Sequence, residues 1–75
     1  SIVYTLPEAC RVTIAVYDTR GRLVRTLMRD TQVSGEHQLY WDGVNSANMT
    51  VGSGIYFLRI SAGEFTSTRK IVLVK

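Results

Sequence analysis

The chain has 75 residues, 45% of them hydrophobic and 20% charged, with a formal net charge of +3. That is enough for one small core and too apolar for a disordered segment. No apolar run exceeds four residues, far short of the roughly 20 that a transmembrane helix needs.

In chain order, Ile2 to Thr5 reads as a short strand stopped by Leu6-Pro7, because Pro cannot donate to a β-ladder and belongs at a strand end. Val12, Ile14 and Val16 then alternate with Thr13, Ala15 and Tyr17, the period-two pattern of a strand with one apolar face. Asp18-Thr19-Arg20-Gly21 closes it with turn chemistry: Asp caps the turn through its side chain and Gly supplies a positive φ. Leu23 to Met28 follows. Leu23, Val24, Leu27 and Met28 also fit one helical face, but a short segment joined to a clear strand by a Gly turn is hairpin grammar, so a return strand is predicted.

Val33-Ser34-Gly35 breaks the chain again. His37, Leu39 and Trp41 alternate with Gln38 and Tyr40, predicting a strand that ends at Asp42-Gly43. Val44 to Gly54 is rich in Asn, Ser and Gly and is expected to be the longest loop. Ile55 to Ile60 and Phe65 to Val74 are the last two strands, joined by the turn Ser61-Ala62-Gly63-Glu64. Turn signals recur at intervals of about eight to twelve residues. The fold class is therefore all-β: a small immunoglobulin-like antiparallel β-sandwich of six to seven strands, with Trp41 and Tyr56 expected in its core. The two Cys that flank a Trp in antibody domains are absent, since Cys10 is alone.

The candidate chemistry is thin. Cys10 cannot form an internal disulfide, and His37 is the one histidine, so neither a transition-metal site nor a nucleophile–base pair has its usual ligands or partners. Cofactors: none are expected, and no catalytic residue is assigned. Asp42, Asn45 and Asn48 could offer oxygens to calcium, but Asx turns have the same composition. Trp41, Tyr40, Tyr56 and Phe57 could line a glycan platform, or fill the core that so small a domain needs. The bases are dispersed from Arg11 to Lys75, and the denser Arg20 to Arg29 stretch has no interleaved aromatics. Nucleic acid is accordingly not expected as a partner.

Five segments occur in an informative order: Ile2 to Glu8; Val12 to Asp18 with Gly21 to Leu27; Gly35-Glu36-His37 leading to Trp41-Asp42-Gly43; Gly54 to Ile60; and Thr68 to Leu73. This set resembles the immunoglobulin-like domain named after the flagellar hook-capping protein. It is also similar to the C-terminal sorting domains of proteins exported by the type IX (Por) secretion system. The resemblance implies a bacterial β-sandwich module, residues 1–75, at the C-terminus of a longer protein that is secreted or displayed at the cell surface. It implies an upstream domain of the parent protein and a secretion or assembly machinery as partners. Gly54, Tyr56 and Lys70 match the recurring Gly, Tyr and Lys of the sorting signal. Where many sorting domains carry Pro before Gly-x-Tyr, this chain has Val51-Gly52-Ser53-Gly54, as suits the hook-cap-like form.

The expected function is a non-enzymatic C-terminal sorting or anchoring module, the alternative being a structural assembly domain of hook-cap type, with glycan binding behind both. A terminal strand with apolar residues on both faces from Ile71 to Val74, ending at the Lys75 carboxylate, is either one a partner could grip by strand addition or one buried on both faces, in the sandwich and against an upstream domain.

Overall fold

The computed structural model describes residues 1–74. Six antiparallel strands form two sheets: β1 (Ile2–Leu6), β2 (Cys10–Tyr17), β3 (Leu23–Gln32), β4 (Gly35–Leu39), β5 (Gly54–Ala62) and β6 (Phe65–Leu73). β1 pairs with β4, and the larger sheet has the order β3-β2-β5-β6. The chain is thus an all-β immunoglobulin-like sandwich, with β2 and β5 at the centre of the larger sheet and β6 at its edge.

The core follows directly from the alternation. Ile2, Tyr4 and Leu6 of β1 are buried while Val3 and Thr5 face out. They pack on Val12, Ile14 and Val16 of β2 and on Leu58 and Ile60 of β5. Register holds this set together, because Ile14 lies opposite Ile60 and Val16 opposite Leu58. Each such side chain taken fully out of water contributes roughly 1.5–3 kcal/mol.

β3 is where the pattern misleads. It runs to Gln32, four residues beyond the Met28 expected from sequence. Its pairing with β2 shifts register twice, between Ile14 and Ala15 and between Val16 and Tyr17. Ile14 faces Met28 while Ala15 faces Thr26, so Leu27 is skipped; Val16 faces Arg25 while Tyr17 faces Leu23, so Val24 is skipped. Each bulge turns an extra residue inward, and Val24, Leu27 and Met28 all pack against the core. Two bulges in one strand leave apolar spacings that mimic a helical face.

The other boundaries move in smaller ways. β1 includes Leu6, and β5 extends from Gly54 to Ala62. β4 begins at Gly35 and stops at Leu39, so Tyr40 and Trp41 lie beyond the strand predicted to carry them. The β2–β3 turn extends to Arg22: Asp18 Oδ1 accepts from the amides of Arg20 and Arg22, each at 2.9 Å, and Gly21 takes φ +79°. β6 ends at Leu73, and the expectation placed on Lys75 lies outside the described residues.

Candidate functional site

The Trp41–Tyr56 pair anchors one end of the sandwich. Both rings are half-buried and pack against the core cluster, so the core expected to hold them has them at its margin. They meet edge to face, with centroids 5.1 Å apart and planes at 71°, a geometry that aligns the positive ring edge with the negative face. Trp41 Nε1 donates to the Val44 carbonyl at 2.9 Å, and the Tyr56 hydroxyl donates to the Gly52 carbonyl at 2.6 Å. The two rings therefore clamp both ends of the loop that precedes β5.

That loop is ordered by its own side chains. Asn45 Oδ1 accepts from the amides of Ala47 and Met49, each at 3.0 Å, and Asn48 adopts φ +63°. Asn45, proposed from sequence as a calcium donor, thus spends its side-chain oxygen on an Asx turn. Among the described residues, no three of His, Cys, Asp and Glu come together as metal ligands would. His37 is committed elsewhere: its ring stacks on Tyr4 at 5.2 Å, and Nε2 lies 2.7 Å from the Val33 carbonyl. Burial pushes the Tyr4 phenol pKa up. Cys10 is a free, half-buried thiol beside the core. Nor do the four aromatics form a platform, because Tyr56 faces the core while its neighbour Phe57 points to the opposite side of the sheet.

The three residues matched to the sorting signal fall on one hairpin. Gly54 opens β5 opposite Leu73, with φ +149°. A Cβ there would meet nothing within 4 Å, so the position selects glycine for backbone angle and not for space. Tyr56 comes two residues later, opposite Ile71, and Lys70 is exposed on β6 opposite Phe57. Tyr56 and Lys70 therefore lie on opposite faces of the sheet. Among the described residues, β6 has a paired neighbour on one side only. Val72 and Val74 are exposed at 63% and 83%, while Ile71 packs inward.

Sequence reading missed Arg69. Its guanidinium donates to the Val3 carbonyl at 2.9 Å, across 66 positions of chain. It satisfies an acceptor on β1 and ties edge strand β6 to the smaller sheet. No local pattern distinguishes this arginine from its neighbour Lys70.

A family match to the FlgD Ig-like domain covers residues 1–64, from β1 through β5. The chain belongs to that family. Among curated proteins, this FlgD Ig-like chain is similar to the basal-body rod modification protein FlgD of Salmonella typhimurium, strain LT2, at 38% identity over 56 residues. The same protein of Salmonella typhi gives the same identity over the same length. The aligned part is 75% of this chain but 24% of the relative, so the chain spans about a quarter of the curated relatives it matches.

Proposed function

We propose that this FlgD Ig-like domain is a non-enzymatic structural module that joins a bacterial surface or extracellular assembly through protein–protein contacts. The observation that carries this reading is membership of a family whose similar curated proteins are basal-body rod modification proteins. The side-chain economy supports it. His37, Asn45 and Asp18 are engaged in structural hydrogen bonds, whereas exposed apolar side chains stand on the larger sheet at Leu23, Ile55, Phe65 and Val72. Such a distribution suits docking better than turnover. The domain would act outside the cell or at its surface, as one module of a longer exported protein.

The test is an exchange in the full-length protein. Replacing residues 1–75 with an unrelated β-sandwich of similar size should abolish its incorporation into the surface assembly, measured by quantitative mass spectrometry of the envelope and extracellular fractions. Unchanged incorporation would sink the assembly reading.

A sorting role is the second reading. Its support is the placement of Gly54 and Tyr56 at the start of β5 and of Lys70 on exposed edge strand β6, where a receptor could add a strand. Lys70→Ala removes an exposed charge at a cost of no more than about 0.5 kcal/mol. Under this reading the variant should accumulate inside the cell envelope, and normal export of Lys70→Ala removes the support.

A further inference from the structure

The outer face of the larger sheet has a one-sided charge. Cross-strand partners share a face, and the register places Leu23, Tyr17, Phe57 and Lys70 in one row across all four strands. Ile55 and Val72 pair beside that row, and Ala15, Arg59 and Thr68 form the next one. Arg29 lies opposite Thr13 and Arg11 opposite Thr31 on the same face. The strands thus bring four bases to this face, Arg11, Arg29, Arg59 and Lys70, and no acid. Asp30 pairs with Val12 and so belongs to the inner side.

One end of the face is apolar and open. Leu23, Ile55 and Val72 are 53%, 44% and 63% exposed, and a shallow cavity of about 400 Å³ opens between Tyr17, Phe57 and Arg59. Asp18 at its rim is already held by Arg22, Nε to Oδ2 at 2.9 Å, the one ion pair among the described residues. Arg11, Arg29, Arg59 and Lys70 therefore have no acidic partner among them.

We infer that this face docks a separate protein whose surface carries acidic side chains beside an aliphatic patch. Charge complementarity decides the occupant. A second copy laid face to face would set four bases against four bases, a like-charge contact that disfavours association. Nucleic acid would use the bases and could reach Tyr17 and Phe57, but it would leave the exposed aliphatics Leu23, Ile55 and Val72, which offer no stacking surface, without an apolar partner. Acidic side chains pair with the bases, and an adjoining apolar patch buries Ile55, Leu23 and Val72. The inference rests on the assembly reading and adds to it the face and the chemistry of its partner.

The test places a photo-crosslinking residue at Val72 in the full-length protein, in the cells that make it, with a control at Val33, which is exposed on the β3–β4 connection. The expected product at Val72 is one different protein, joined through a peptide rich in Asp and Glu. Its yield should fall by about tenfold in Arg59→Glu/Lys70→Glu and fall as ionic strength rises. Both substituted positions are exposed, and an unchanged far-UV spectrum and melting curve establish that the variant is folded. Crosslinks at Val72 to the same polypeptide, to a second copy or to nucleic acid overturn the inference, as does a yield indifferent to the charge reversal. A partner captured at Val33 but not at Val72 overturns this face and leaves the assembly reading standing. No protein captured at either position counts against both.

Discussion

At the scale of single residues, three positions show how this small domain fixes its loops. Gly54 has an angle that L side chains rarely adopt, with free space around it. Gly54→Ala should therefore cost roughly 1–3 kcal/mol through backbone strain alone, read as a lower denaturation midpoint with an unchanged m-value. A neutral result would mean that β5 can begin with an ordinary extended residue. Tyr56→Phe removes only the hydroxyl that donates to Gly52, and should cost about 0.5–1.5 kcal/mol. Trp41→Ala removes the partner ring and the bond to Val44; for a half-buried Trp the expected loss is roughly 2–4 kcal/mol. A Trp41→Ala protein that melts like the parent would place the ring outside the packed structure.

Asp18 gives the pH dependence. The Arg22 amide above all holds its carboxyl below the usual carboxylate range; burial opposes this, and the Arg22 guanidinium and the Arg20 amide add to the lowering. Because the folded pKa is depressed, its contribution to stability is present above the ordinary value of 3.8 and is lost as pH falls through the folded value. Melting temperatures of the parent and of Asp18→Asn should therefore converge as pH is lowered below about 4. A gap that stays constant down to pH 2 would show that the charge contributes nothing to the turn.

At the scale of elements, the central strands hold the molecule together. β2 and β5 are hydrogen-bonded on both sides, while among the described residues β1 and β4 pair only with each other. Native-state hydrogen exchange should find the slowest amides in Val12 to Val16 and Leu58 to Ile60, and faster exchange through the β1–β4 ribbon. Uniform protection across all six strands would indicate a single opening unit. Arg69 links these layers, so Arg69→Ala should cost roughly 0.5–1.5 kcal/mol and accelerate exchange in β1, whereas Lys70→Ala should do neither.

These elements also mark how much the sequence discloses. The alternation in Val12 to Val16 states its own structure, because a strand buried on one face must repeat every second residue. β3 conceals its structure, since two bulges insert Val24 and Leu27 out of period and the bulges are set by tertiary packing, not by local propensity. Trp41 continues the alternation of β4 beyond the end of its strand, which the pattern alone cannot register. The basic outer face was hidden for a related reason. Arg11, Arg29, Arg59 and Lys70 are far apart in sequence, and only the pairing of four strands gathers them.

At the scale of the whole molecule, the chain is a sandwich of the FlgD Ig-like family with its hydrogen-bonding side chains turned to structure and its outer sheet turned to solvent. The family match covers residues 1–64 and so stops short of Lys70, while the three matched sorting residues lie on one hairpin. Assembly and sorting thus make opposite demands on the same 75 residues: one needs them after the protein has left the cell, the other needs them for it to leave. The direct measurement is the fraction of the full-length protein recovered outside the cell after residues 1–75 are deleted. An assembly module predicts that the shortened protein is exported in normal amounts but fails to join the surface structure. Retention of the shortened protein inside the cell envelope would contradict that account.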